Sequence, residues 1–122
     1  MKVQGFIWAG IYVQDIQASI AFYRDVLGLP LLEQDEDWAH LDAGAGALLE
    51  LFSGGTSVQG AKTADQQSIV LGLRVDDLDQ AVETLRGRGV RFILGGSGEF
   101  AGTRWAHFYD PEGNRLEVKE VP

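Results

Sequence analysis

Ile11-Tyr12-Val13-Gln14-Asp15-Ile16 returns as Leu73-Arg74-Val75-Asp76-Asp77-Leu78, with 62 residues separating Asp15 from Asp77. In each copy a short run of strand character gives way to an aspartate placed to cap a helix, because its carboxylate can accept from the first free amides. The apolar positions that follow have helical spacing: Ile16, Ile20, Tyr23 and Leu27 in the first copy, Leu78, Val82 and Leu85 in the second. Gly28 and Gly89 fall where the two helices should end, as residues able to take the left-handed conformation there. An internal repeat is a signature of the whole architecture, so each element is read as one of a pair.

Working outward, the spacing predicts strands near residues 31–34, 38–42 and 47–52 after the first helix, and 91–94, 104–109 and 115–119 after the second. With the two opening strands this makes eight strands and two helices. The fold class is α+β: two βαβββ modules, about 1–57 and 66–122, in a single domain spanning 1–122. Asp110-Pro111-Glu112-Gly113-Asn114 reads as a tight turn, with proline setting one φ and glycine supplying an unusual one. Gly95-Gly96-Ser97-Gly98 reads as a flexible loop, as do residues 53–67, which also serve as the linker between modules.

The chain has 122 residues, 45% of them hydrophobic and 23% charged, a balance that suits a packed core. Apolar runs such as Ala47-Leu48-Leu49 fall far short of the roughly 20 residues that cross a bilayer, so no membrane partner is expected. The opening residues lack the apolar stretch and cleavage site of a secretory signal. Cysteine is absent, which excludes disulfides and thiolate metal sites and fits a reducing, cytoplasmic setting. The net charge of −8, with ten basic residues scattered along the sequence, argues against nucleic acid as a partner and favours a cationic ligand.

A second echo carries the chemistry. Trp38-Ala39-His40 returns as Trp105-Ala106-His107, and each histidine is followed ten residues on by a glutamate, Glu50 and Glu117. These are the only two histidines in the chain. Strand side chains alternate, so Trp105, His107 and Tyr109 share one face while Ala106 and Phe108 share the other. If Tyr109 pairs with Arg115 across the turn, His107 lies opposite Glu117, and the same register puts His40 opposite Glu50. A solvated sheet face on which histidines merely pair with carboxylates is one reading of this pattern. A binding site is the other.

The stretch Val13-Gln14-Asp15-Ile16-Gln17-Ala18-Ser19-Ile20-Ala21-Phe22-Tyr23-Arg24-Asp25-Val26-Leu27-Gly28-Leu29, with Asp110-Pro111-Glu112-Gly113-Asn114-Arg115-Leu116-Glu117 near the end, resembles the vicinal oxygen chelate superfamily. That group includes glyoxalase I, extradiol dioxygenases, fosfomycin-resistance enzymes and bleomycin-resistance proteins. The resemblance runs nearly end to end. It implies paired modules forming cupped half-barrels, a small-molecule ligand in the cleft between them, and a homodimer. It also implies where a metal enzyme of the family would take its ligands: the residue seven before each helix-opening aspartate, and one residue in the last strand of each module. The first pair of positions holds Trp8 and Val70, neither able to bind a metal, and the second holds Glu50 and Glu117.

Two functions follow as expectations. The first is a metal-independent and cofactor-free binding protein of the bleomycin-resistance type, holding an aromatic or cationic ligand. Trp8, Tyr12, Trp38 and Trp105 would supply flat walls, and His40, Glu50 and Glu117 the polar contacts. The alternative is a lyase, isomerase or dioxygenase in which Glu117 is the catalytic base and His107 tunes or shuttles its proton, with a pKa for Glu117 raised toward neutral by burial. A displaced divalent metal shared by His40, Glu50, His107 and Glu117 belongs to that alternative. A structural partner without a ligand is a third class.

Overall fold

The computed structural model describes residues 1–122, in two compact units, Met1–Ser57 and Val58–Pro122. In the first, β1 (Trp8–Val13) runs into α1 (Ile16–Ala21), and β2 (Leu31–Gln34), β3 (Trp38–Gly44) and β4 (Ala47–Ser53) follow. The sheet order is β1-β4-β3-β2, with β1 parallel to β4 and the other pairs antiparallel. The parallel pair follows from the helix, since a chain that leaves one strand end and returns alongside it needs a crossover. Asp15 caps α1 by accepting the Ala18 amide at 3.0 Å.

The α-helix is shorter than its apolar spacing predicts. From Phe22 to Val26 the backbone widens into a π-helical turn, in which the Leu27 amide donates to the Phe22 carbonyl at 3.0 Å, five residues back. Gly28, at φ 79°, then ends it. Ile16, Ile20 and Tyr23 pack beneath Val13, Ala39, Leu41, Leu49 and Leu51 to form the core of this unit.

Ser19 is also fully buried, and its hydroxyl has no hydrogen-bond partner. A buried, unpaired hydroxyl costs about 1 kcal/mol or more. Ser19→Ala is therefore expected to stabilise the protein by about 1 kcal/mol, read as a rise of roughly 3–5 °C in Tm. A fall in Tm would mean that the hydroxyl is partnered after all.

In the second unit β5 (Leu71–Arg74) leads to α2 (Leu78–Gly87), then β6 (Gly98–Phe100), β7 (Thr103–Tyr109) and β8 (Arg115–Glu120), in the sheet order β5-β8-β7-β6. Asp77 caps α2 through the Gln80 amide at 3.0 Å, and Gly89, at φ 87°, follows its last turn. Leu78, Leu85, Val90, Ala106, Phe108, Leu116 and Val118 form the core.

Two expectations need correction here. Residues 91–94 are not a strand. They touch β7 through a single bridge, Phe92 to Phe108, with the Tyr109 amide on the Arg91 carbonyl at 3.2 Å and the Ile93 amide on the His107 carbonyl at 2.8 Å. A turn closed by the Gly96 amide on the Ile93 carbonyl then diverts the chain, and the edge resumes as β6, inside and beyond the glycine-rich loop. Gly98 sits there because the Trp105 ring lies over it: a Cβ would come 2.5 Å from the indole. The glycines serve a turn and a ring seat rather than flexibility.

Nor does the segment 53–67 stand free as a linker. From Val58 onward it belongs to the second unit, with the Val58 amide on the Glu112 carbonyl at 3.1 Å and the Lys62 amide on the Gly113 carbonyl at 2.9 Å. Gln67 holds both sides of the Arg115 peptide, accepting its amide at 2.6 Å and donating to its carbonyl at 2.8 Å. The turn these contacts enclose is organised by Asp110, which accepts the amides of Glu112 and Asn114 and the Asn114 side chain at 2.8–2.9 Å. No helix is long and apolar enough to cross a membrane.

Candidate functional site

On the first unit's sheet, the face turned away from α1 carries Trp8, Gly10 and Tyr12 from β1, set beside Leu48, Glu50 and Phe52 of β4. Trp38, His40 and Asp42 of β3 lie opposite Phe52, Glu50 and Leu48. Glu50 is the centre of this face. One of its carboxylate oxygens, Oε1, accepts the Trp8 indole N–H at 2.6 Å and lies 2.9 Å from His40 Nε2; the other accepts the Trp38 indole N–H. Trp8 reaches this position by lying across Gly10, where a Cβ would stand 2.4 Å from the ring. The Trp38 N–H above all, seconded by Trp8 and His40, outweighs burial and holds the Glu50 carboxyl below its ordinary range. Trp8 and Tyr12 are 50% and 65% exposed with Phe52 between them, its ring centroid 6.5 Å from one and 5.2 Å from the other. This is an aromatic wall, the Trp8 and Tyr12 rings tilted 54° and 30° to that of Phe52, facing solvent beside a carboxylate that is already engaged.

On the second unit the register is the same and the bonding is not. His107 lies opposite Glu117 and Trp105 opposite Lys119. Glu117 takes His107 Nε2 at 2.7 Å on one oxygen and the Lys119 ammonium at 2.9 Å on the other. The Trp105 ring sits 5.7 Å from the Lys119 nitrogen, over Gly98. Burial pushes the Glu117 carboxyl up, but the Lys119 ammonium and the His107 ring together outweigh it and leave the group below its ordinary range. A carboxylate so held is a weak proton acceptor near neutral pH, so the raised pKa expected for a Glu117 base is absent.

All eight expected site residues are accounted for. Trp8, Tyr12, Trp38, His40 and Glu50 share one face of the first unit; Trp105, His107 and Glu117 share one face of the second. No group of three or more His, Cys, Asp or Glu side chains is placed to hold an ion. At Glu50 the neighbours contributed by Trp8 and Trp38 are N–H donors, which repel a cation rather than ligate it. Val70, the other first-strand position, stands just before β5, half exposed.

Sequence reasoning missed Gly10 and Gly98, the seats of two indoles, and Phe52, the middle of the wall. It also misjudged the basic residues. They are scattered in sequence, yet Arg74, Arg91, Arg115 and Lys119 gather on the second unit's open face. Carrying the β5–β8 and β7–β8 registers across the whole sheet would have found three of them.

Both units present the same strand order, the same capped helix and the same histidine–glutamate register. The sequence model of the glyoxalase/bleomycin resistance protein/dioxygenase superfamily matches residues 5–118. The chain belongs to this superfamily. It is 30% identical over 121 residues to the uncharacterized protein YraH of Bacillus subtilis, covering 91% of this chain and 94% of that one. Among solved structures it is similar to TnmS3, an antibiotic binding protein from Streptomyces sp. CB03234, at 25% identity and a TM-score of 0.76, over 100% of this chain and 99% of that one. A glyoxalase family protein from Bacillus anthracis shares the fold at 16% identity and a TM-score of 0.78, over 100% and 98% of the two chains. In this chain the Trp8 indole stands where the resemblance places a metal ligand, and its N–H is turned toward the last-strand Glu50.

Proposed function

We propose that this chain is a metal-independent binding protein for a small planar aromatic molecule, which stacks on the Trp8, Phe52 and Tyr12 wall. The observation that carries the reading is the state of Glu50: two indoles and an imidazole engage both of its oxygens, so that at most one lone pair, on Oε2, is left for a metal. The same contacts fix the Trp8 and Trp38 rings in place, so little side-chain freedom is lost when a ligand lands on them. The superfamily and the likeness to an antibiotic-binding protein support a sequestering role. A cytoplasmic homodimer belongs to the same proposal, on the family likeness and the cysteine-free composition.

Intrinsic fluorescence tests it. Titration with a panel of planar aromatic antibiotics, bleomycin included, is expected to give saturable quenching with at least one compound. Trp8→Ala should weaken that binding about tenfold or more, as loss of a central aromatic anchor does. Trp8→Phe, which keeps a ring but not the N–H, should bind more tightly than Trp8→Ala. Silence across the panel, or a stoichiometric metal in the purified protein, overturns the proposal.

A further inference from the structure

On the second unit's sheet, the face turned away from α2 is laid out in rows. Arg115 lies opposite Tyr109, and from the other side of that ring Arg91 brings its guanidinium carbon within 5.3 Å of the centroid. In the next row Gly72 stands beside Glu117, which faces His107. In the third, Arg74 stands beside Lys119, which faces Trp105. Four cations thus surround two aromatic rings, with Glu117 the single acidic side chain among them. Glu117 occupies one of the three donors of Lys119.

Exposed cations are ordinary taken singly. These are not dispersed. The chain carries 18 acidic residues against 10 basic ones, and away from this face Arg24 pairs with Asp25 and Arg104 with Asp79 and Glu120. Arg74, Arg91 and Arg115 are exposed and make no ion pair. The first unit's equivalent face has the opposite character: its charged residues are Glu33, Asp42 and Glu50, with no cation. A guanidinium fork matches a carboxylate in two parallel hydrogen bonds, and an indole or phenol beside it offers a plane for stacking.

We propose that this face is an anion-recognising site whose ligand is a planar aromatic carboxylate, its ring on Trp105 or Tyr109 and its carboxylate on Arg74 or Arg115. The inference rests on the small-molecule-binding reading and adds a second binding face to it, on which the preferred ligand is an anion despite the chain's net charge of −8.

Three probes share one ring and differ in charge: 2-naphthoate, 2-naphthalenemethanol and 2-naphthylmethylammonium. By titration calorimetry the carboxylate is expected to bind about tenfold more tightly than the ammonium, the scale of one charge-assisted contact. The double variant Arg74→Ala, Arg115→Ala should lose about tenfold for the carboxylate and less than about twofold for the alcohol. Lys2→Ala with Arg24→Ala removes the same formal charge elsewhere and should leave all three affinities in place, which separates a local site from the field of the whole chain. Equal or tighter binding of the alcohol or ammonium overturns this inference and leaves the binding reading standing. Binding by none of the three also overturns this inference, whereas the proposed function falls only with the antibiotic titration. A single-stranded oligodeoxynucleotide that binds more tightly than naphthoate also overturns it, in favour of a nucleic-acid surface.

Discussion

Gly113→Ala is expected to destabilise the protein by about 4 kcal/mol, a large share of the 5–15 kcal/mol that holds a typical domain together. Two costs add. The backbone at Gly113 has φ 85°, where a side chain is strained by about 1–2 kcal/mol. A Cβ there would also stand 2.7 Å from Val58 Cγ2, 2.9 Å from the Val58 carbonyl oxygen and 3.0 Å from that of Gly60. Two of those atoms are backbone and cannot turn aside, which adds an overpacking cost of roughly 1–3 kcal/mol. Gly28→Ala provides the control, because φ is 79° and nothing lies within 4 Å of its Cβ; strain alone should cost it about 1 kcal/mol. Urea unfolding of the two variants measures the difference. Hydrogen exchange at the Val58 and Lys62 amides, which bond to the carbonyls of this turn, should quicken only in Gly113→Ala. Equal losses in the two variants would show that the close contact is not what makes Gly113 necessary.

The second large effect is expected at Phe108, whose side chain is fully buried and whose ring centroid lies 5.6 Å from that of Phe92. Phe108→Ala should cost about 4 kcal/mol through lost transfer energy and the cavity left behind. It should also loosen the segment carrying Arg91, since the Phe92–Phe108 ring contact packs that segment on β7 beside its backbone bridge. The Ile93 amide, bonded to the His107 carbonyl at 2.8 Å, reports on this separately from global stability. Phe92→Ala, at a half-buried position, is the milder variant. It should expose the Ile93 amide while leaving the melting transition cooperative. A cost below about 1.5 kcal/mol for Phe108→Ala would mean that the core refills and the ring is not its keystone.

The repeat made most of the fold readable, because each capping aspartate and each terminal glycine had a counterpart to check it against. The facing of His40 on Glu50 and of His107 on Glu117 was readable for a simpler reason: hairpin register follows from the turn, and side chains alternate. What escaped was set by contacts that no local pattern records. Trp8 and Trp38 both bend their N–H groups to one carboxylate, whereas Trp105 lies flat beneath Lys119, and nothing in Trp-Ala-His distinguishes those outcomes. The glycines at 95–98 were read by their freedom, when Gly98 is there for its lack of a side chain. The basic residues looked diffuse because 74, 91, 115 and 119 are far apart along the chain and adjacent only across three strands. Burial was the other blind spot. Glu117 is half shielded, yet its two cationic neighbours reverse what shielding alone would do to its proton.

The split edge of the second sheet has a counterpart in the first, where the register of β2 on β3 slips between Leu31 and Glu33. Each sheet thus has, at the edge opposite β1 or β5, a border strand that is short and broken partway, and neither of these two borders offers an uninterrupted ladder of free amides and carbonyls. Another chain could add only a few residues before its pairing lost step. For a protein that keeps aromatic side chains in the open, such borders act as a safeguard on one side of each sheet: there the surface suited to meeting a small flat molecule ends in a margin ill suited to templating a fibril.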